Sequence, residues 1–593
     1  SVEASQRRGP GFWHTKPIVQ RKYRPNVTWR DKLGLWLAGG AVLGAFFLYF
    51  PALFGAFVLD DWSLPLGQAA NRQPFTAVIA GLRPVLMASY WLNCRLWGDA
   101  PSSYHVVNFL IHVINSGLVF FVLRRLLEMA KWERSKSTVA AAIGAVVFLI
   151  HPLQTESVSY IAGRSESLAS LFLLLAYTVF LYRRRDEISW RTAIAVLVLF
   201  GLAVKTKENA VSLAGILLLT DLMWPKAFSL EGPRKNWRLY VLMLPGVLVA
   251  AFAIFRMLGT AGTAGFSVGS FKWYQYSFTE ARAIFTYIRL AILPMGQSLD
   301  HDFATSHTIF ERGAIFYMAL LFGLVALAIR WRHKFPLSCF GLLMFLVWLA
   351  PTSSVIPIDD ALVERRMYLA MIGLILIACD AVQRFELRAP AVTGLVTVTL
   401  VAFGAFCYER NKLWGSPETL VALAAAEARH NPRPMLNFAD FLIQHDHCDQ
   451  AVPYLARAER ILPNSYFVKA SWGRTLACLG HPQQALIVLQ QAAAIQPCSQ
   501  VYEWIGLVYG GMGRLAEARA ALEKSVALNP GSAEAHSAMA LWYESVHDLE
   551  SAEQEYRRSL ELDPAAPAIR AYLQRVSQLR NNRPAERPPL TSN

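Results

Sequence analysis

A chain of 593 residues that is 54% hydrophobic and 17% charged is too apolar for an ordinary soluble protein, and its apolar residues fall in blocks long enough to cross a bilayer. Its formal charge of +15 gathers at the ends of those blocks, where lysine and arginine set membrane orientation, and no nucleic-acid-binding pattern accompanies it, so no nucleic-acid partner is expected. Seven cysteines in this length exclude a disulfide-stapled framework.

The first 32 residues carry Arg7, Arg8, Lys16, Arg21, Lys22, Arg24, Arg30 and Lys32 against only Glu3 and Asp31. They read as a basic cytoplasmic arm, 1–32, rather than as a cleaved signal peptide with its short apolar core. Hydrophobic spans follow near 33–57, 105–123, 137–150, 167–182, 192–204, 209–224, 239–258, 309–329, 338–350, 366–382 and 390–407. The basic loops at 124–136, 183–185, 226–238, 330–334 and 384–388 share one side if the N-terminus is cytoplasmic. That agreement supports about eleven crossings in a transmembrane domain of 33–409. Segments 74–98 and 281–294 read as interfacial or re-entrant helices, and the short spans 137–150 and 192–204 as broken or partly buried ones. With this parity the segments 58–104, 151–166, 205–208, 259–308, 351–365 and everything after 408 face the exoplasm.

The last third reads as an all-α solenoid. Pro463, Pro497, Pro530 and Pro564 recur at spacings of 34, 33 and 34, and Ala451, Ala485, Ala518 and Ala552 keep those spacings twelve residues ahead. This is the period of tetratricopeptide repeats, in which small residues let paired helices pack and proline ends the second helix. Four repeats start from about 432 in a domain of 410–580, with 416–430 as lead-in and 567–580 as polar cap. Leu442, Leu476, Tyr509 and Tyr543 share one first-helix position, and Gly480 and Gly513 serve the turn. A concave recognition face is expected near Lys469, Tyr502 and His536. Cys448 and Cys478 approach across one repeat step and can pair in an oxidising compartment, with Cys498 as a competing partner. The proline-rich tail 581–593 is expected to be disordered.

Chemistry-bearing residues gather at the outward helix ends. Asp60-Asp61 follows the first span, where a carboxylate is costly unless it has a task; the bland reading is a helix stop with two solvated acids. Arg83-Pro84 comes next, then Tyr104, His105, Asn108 and His112, of which positions 105, 108 and 112 share one helical face. His151-Pro152, Glu156, Arg164 and Glu166 follow, then Lys205, Lys207 and Glu208, and last Glu364, Arg365, Arg366 and Tyr368. All are expected to converge on one cavity.

In order and spacing this series resembles the transmembrane and tetratricopeptide-repeat O-mannosyltransferases and their bacterial relatives, within the GT-C glycosyltransferases. The resemblance runs from about 57 to 370, and the repeats extend it to about 580. It implies a GT-C-like membrane body and inverting transfer of a sugar from a polyprenyl-phosphate-linked donor to a protein or glycan acceptor. Such transfer needs a base, Asp60 or Asp61, which titrate as a coupled pair. It also needs cations for the donor phosphate: Arg83, Lys205, Lys207, Arg365 and Arg366, with Arg365 favoured over Arg366. Glu208 and Glu364 are expected to orient these cations, and Tyr104, His105, Asn108, His112, His151, Glu156, Arg164 and Tyr368 to support them. Mg²⁺ or Mn²⁺ on Asp60 and Asp61 is an open alternative, with Asp300-His301-Asp302 able to add ligands; the three histidines do not match a zinc pattern. Membrane lipid and the polyprenyl donor are the expected partners of the body, and a protein partner or acceptor that of the repeats. Four repeats and a short first loop point to a multi-pass bacterial inner-membrane protein with its repeats in the periplasm. Two rival classes are a non-catalytic membrane-anchored scaffold and a channel or carrier for a polyprenyl lipid.

Overall fold

The computed structural model describes residues 29–64, 75–81, 83–183, 187–224, 228–258, 272–354, 356–385, 388–563 and 566–581. Most of the basic arm, and the tail after 581, lie outside the described residues. Two compact units divide the chain at Gly44. The first contributes the start of the helix Trp29–Tyr49, and the second holds everything that follows. Among the described residues no strand element forms.

Helices fall on every predicted span: Trp29–Tyr49, Pro101–Met129, Arg134–Ile150, Arg164–Arg183, Trp190–Val204, Ser212–Met223, Trp237–Leu258, Ala314–Arg330, Pro336–Leu349, Met367–Arg384 and Ala389–Trp414. Among the described residues six stretches are long and apolar enough to cross a membrane, and seven if Arg134–Ile150 and Pro152–Val158 form one span bent by 54°. The protein is therefore a multi-pass membrane protein, but length alone does not give eleven crossings. Ser212–Met223 and Pro336–Leu349, of 12 and 14 residues, rise only about 18–21 Å at ~1.5 Å per residue, short of a ~30 Å core. The bend at His151 matches the broken helix expected there. The region 281–294 belongs to a longer amphipathic helix, Trp273–Ile292.

Glycines set the closest approaches. A Cβ on Gly341 would lie 2.6 Å from the Gly373 carbonyl, and one on Gly373 would lie 2.3 Å from that of Gly341. The helices Pro336–Leu349 and Met367–Arg384 thus cross backbone to backbone. The end of Ala389–Trp414 meets the start of the first loop in the same way, since a Cβ on Gly55 would lie 2.5 Å from the Trp414 carbonyl. This contact brings the entry to the repeats beside the acid pair.

Paired helices recur at the repeat period: Arg433–Gln444 with Cys448–Ile461, Tyr466–Cys478 with Pro482–Ile495, Ser499–Gly511 with Leu515–Leu528, and Ala533–Ser545 with Leu549–Leu562. Pro417–Glu427 leads in and Pro567–Asn581 caps them. Ala451, Ala485, Ala518 and Ala552 are fully buried. Gly480 and Gly513 take φ of 79° and 75°, and the equivalent Asp446 and His547 take the same left-handed turn at 60° and 61°. Cys448 and Cys478 form a disulfide, with Cα atoms 6.3 Å apart. Cys498 is a free cysteine.

The three residues expected on the concave face each meet a second helix. Lys469 pairs with Glu459 of the preceding helix at 3.6 Å, Lys524 sits 4.2 Å from the Tyr502 ring, and buried His536 meets Glu555 at 2.6 Å. These are fourth positions of the first helices, turned toward second helices; the residue one repeat ahead of Lys469 is buried Met435. A row that does run from repeat to repeat is Asp440–Arg474–Trp504: Arg474 donates to Asp440 at 2.7 Å and lies 4.7 Å over the Trp504 ring.

Candidate active site

The turn Leu59–Ser63 sends its two acids opposite ways. Asp61 is 1% exposed; its Oδ2 accepts the Val58 N–H at 3.0 Å and its Oδ1 the Ala162 N–H at 2.8 Å. Burial pushes its acid up to about 7, although both N–H groups favour the anion. Asp60 is exposed, and its backbone N–H donates to the Tyr160 hydroxyl at 3.0 Å. Leu59, just before them, holds a left-handed φ of 45°, a costly backbone for a bulky residue. The segment that receives the turn is itself tight: a Cβ on Gly163 would lie 2.4 Å from the Glu156 carbonyl.

Three cations from separate segments gather here, each held by one glutamate. Arg83 donates two parallel bonds to Glu208, at 2.9 and 2.8 Å. Lys207 meets Glu166 at 2.5 Å, and Arg365 meets Glu156 at 2.5 Å while its backbone N–H reaches the other Glu156 oxygen at 2.9 Å. Their side chains remain 38%, 15% and 25% exposed, in that order. The three sense one another. Burial lowers the Lys207 pKa, and Arg365 and Arg83 lower it further while Glu166 opposes them. Burial acts to lower that of Arg83 too, yet Glu208 holds it above its ordinary value against Arg365. Glu208 is in turn kept below its usual range by Arg83, although burial alone would raise it. Tyr160 connects the acids to this cluster: burial, then Asp60 and Asp61, raise its phenol pKa, and Arg365 opposes them.

Several expected site residues have other tasks. Arg366 faces inward with its side chain 7% exposed, donating to the carbonyls of Ala361 and Asp360 and pairing with Glu280 at 3.4 Å. It is a strut, not a phosphate ligand. Lys205 is exposed outside the three pairs, and its carbonyl accepts the Val85 N–H at 3.3 Å. Glu364 does not orient Arg365; it is fully buried and accepts from Gln297, from the Ser298 N–H and from His301, at 2.6, 2.9 and 2.8 Å. Glu156, expected only to support, is the partner of Arg365.

The polar stripe of 105, 108 and 112 is buried and spent on helix ends rather than lining an open cavity. His105 reaches the Gly55 carbonyl at 3.2 Å. Asn108 donates to the carbonyls of Val158 and Tyr160 and accepts from fully buried Arg164 at 2.7 Å. Arg164 also donates to Asn93 and to the Tyr104 carbonyl, and lies 4.6 Å over the Tyr90 ring. His112 accepts from the Tyr368 hydroxyl at 2.7 Å and donates to the Leu149 carbonyl at 3.0 Å. His151 caps the break in its helix, accepting from the Leu153 N–H and donating to the Ala291 carbonyl. Buried polar groups on membrane helices must find such partners.

Among the described residues no group of three or more histidine, cysteine, aspartate or glutamate side chains is arranged to hold a metal ion. Both Asp61 oxygens already accept backbone N–H groups, and Asp300, His301 and Asp302 are engaged elsewhere. No step below runs through a metal.

Three residues escaped the sequence reading: Tyr160, Arg410 and Trp414. Tyr160 stacks on Trp414 at 5.6 Å, and buried Arg410 donates to the Gln297 carbonyl at 3.3 Å. The visible signal is an arginine one turn before a tryptophan just beyond the apolar block 390–407, at the entry to the repeat domain.

Comparison with known proteins adds the family context. The chain is similar to protein O-mannosyl-transferases. Tmtc1 of Drosophila melanogaster is 30% identical over 230 residues, covering 36% of this chain and 25% of the relative. TMTC3 of Homo sapiens is 19% identical over 572 residues, covering 85% and 59%. F38B6.6 of Caenorhabditis elegans is 21% identical over 393 residues, covering 66% and 54%. The chain thus spans between a quarter and three fifths of the length of these curated relatives. The tetratricopeptide repeat family model matches residues 499–532. Among solved structures, the tetratricopeptide protein TTC0263 of Thermus thermophilus aligns at 22% identity and a TM-score of 0.26, covering 30% of this chain and 96% of that one.

Proposed function

We propose that the chain is an integral-membrane glycosyltransferase that moves a sugar, with inversion, from a polyprenyl-phosphate-linked donor to a protein hydroxyl on the exoplasmic face. The observation that carries this reading is that Asp60, Asp61 and Arg365 gather at Tyr160, with Arg83 and Lys207 close enough to Arg365 to sense its charge and each cation fixed by its own glutamate. The names of its relatives add to it and make mannose the first sugar to test.

In this mechanism the acceptor oxygen attacks the anomeric carbon as Asp60 takes the hydroxyl proton. The bond from that carbon to the phosphate oxygen breaks, and the electron pair leaves with polyprenyl phosphate. The phosphodiester carries one negative charge and the leaving monoester gains a second. Cations fixed beforehand by glutamates meet that developing charge without reorganising. Asp60 suits the base because it is exposed, whereas Asp61 spends both oxygens on backbone N–H groups and positions the turn. The basic loops support an exoplasmic site, as does the disulfide in the repeats. In a bacterial inner membrane that face is periplasmic.

A second reading, the non-catalytic scaffold, draws on the same pairs. Each cation already has its counter-charge, as in a purely structural network. The full-length protein in lipid discs, given labelled polyprenyl-phosphate mannose and extracted exoplasmic proteins, decides between them. Labelled protein, lost in Asp60→Asn, supports the transferase. Equal labelling in the native protein and an empty disc supports the scaffold.

A further inference from the structure

Asp300, His301 and Asp302 are consecutive, yet each holds a different part of the molecule. Asp300 takes the Arg433 guanidinium on both oxygens, at 2.6 and 2.7 Å, and the Asn431 amide at 3.1 Å. Arg433 pairs at once with Asp360 at 2.5 Å. Asp302 accepts the backbone N–H groups of Arg429 and His430 at 2.8 and 3.0 Å, and the His430 ring at 3.0 Å. The middle residue turns the other way, and His301 donates to Glu364 at 2.8 Å, next in sequence to Arg365. The outer two thus grip the entry to the first repeat, while the middle one grips the turn that carries the Arg365 cation.

These are built contacts rather than loose surface pairs. Asp300, Asp302 and His301 side chains are 9%, 15% and 11% exposed, and Glu364 is closed off completely. Asp300 and Asp360 hold the Arg433 pKa above its ordinary value although burial works against them. A bidentate arginine–carboxylate pair fixes direction as well as distance, and a second acid on the same guanidinium removes the remaining swing.

We propose, building on the transfer reaction above, that the Asp300–His301–Asp302 triplet is a positioning element that holds the repeat domain at one fixed setting over the cation cluster. A protein acceptor carried by the repeats and a donor phosphate held at Arg365 then meet at a set spacing. Transfer is sensitive to that spacing, since a displacement of about 1 Å costs on the order of 10²-fold in rate.

The full-length protein carrying spin labels at Ser102→Cys, on the body, and Gln491→Cys, on the second repeat, tests the clamp without reference to activity. The native protein gives one narrow distance distribution. Arg433→Asp, which sets an acid against Asp300 and Asp360, broadens or shifts it, and Asp300→Arg combined with Arg433→Asp restores it. An unchanged distribution in Arg433→Asp overturns the proposal, whatever the protein catalyses. In the activity arm Arg433→Asp lowers protein labelling by on the order of 10²-fold, while binding of a labelled polyprenyl-phosphate probe stays at the native level. Loss of probe binding in this variant also overturns it, because the pair then shapes the donor site itself. Absence of labelling by the native protein overturns the transferase reading and leaves the distance measurement to decide the clamp.

Discussion

Asparagine at position 61 is the sharpest probe of the acid pair. The Asp61 carboxylate accepts two backbone N–H groups, Val58 at 3.0 Å and Ala162 at 2.8 Å, while buried from solvent. An asparagine has one acceptor oxygen, so its amide must face one of those N–H groups and leave it unpaired. An unpaired buried donor costs about 1–3 kcal/mol, which is roughly a five- to 150-fold faster hydrogen exchange at the affected amide through local opening. Hydrogen exchange of the full-length protein in detergent, resolved over 58–62 and 160–164, reads that directly. Asp60→Asn should leave both amides protected and still lower transfer by about 10²–10⁴-fold, the usual worth of a positioned base. Acid pH adds a second signature. Burial raises the Asp61 pKa to about 7 in the folded protein, against ~3.9 unfolded. Its contribution to stability is therefore full below about pH 4 and is lost as pH rises through about 7, and Asp61→Asn should flatten that part of the profile. Unchanged protection in Asp61→Asn, with transfer abolished, would sink this division of roles and make Asp61 the base.

Arg365→Ala and Arg83→Ala should weaken binding of a labelled polyprenyl-phosphate probe, with Arg365→Lys rescuing only in part because a point charge cannot fork; Arg366→Ala should instead lower the yield of folded protein, since it removes a buried strut. A reporter fused after Arg580 should be active outside the cytoplasm and one at Arg184 inside, and two reporters on the same side would refute the assigned orientation. Reduction, or Cys448→Ser, should slow the protein on non-reducing gels and destabilise the first two repeats by about 3–4 kcal/mol for a bridge of sequence separation 30, read as earlier exchange of their amides. Gly473→Leu should disrupt the second repeat, because a Cβ there already lies 2.4 Å from Leu489, and overpacking of this kind costs about 1–3 kcal/mol.

Local, repeated and composition-borne features were legible in the chain itself. Apolar blocks announced the membrane helices, and the 34-residue spacing of Ala451, Ala485, Ala518 and Ala552 announced the repeats, because each unit packs mainly against its sequence neighbour. The Cys448–Cys478 bridge spans one repeat step and was visible for the same reason. The residues grouped at the candidate site were visible in part: Asp60, Asp61, Arg83, Lys207 and Arg365 all stand at helix ends in the sequence.

What each of them faces was decided only in three dimensions. Glu364, Arg365 and Arg366 make one 3₁₀ turn, in which successive side chains point about 120° apart at three residues per turn. They go three ways: to the loop at Gln297–His301, to Glu156, and to Glu280. The turn at Leu59–Ser63 separates Asp60 from Asp61 by the same geometry, one exposed and the other closed over. Adjacent identical letters carry no record of this direction. It is set by where segments distant in the chain, such as Ala162 and Tyr160, offer a donor, and only the packed helices bring them there.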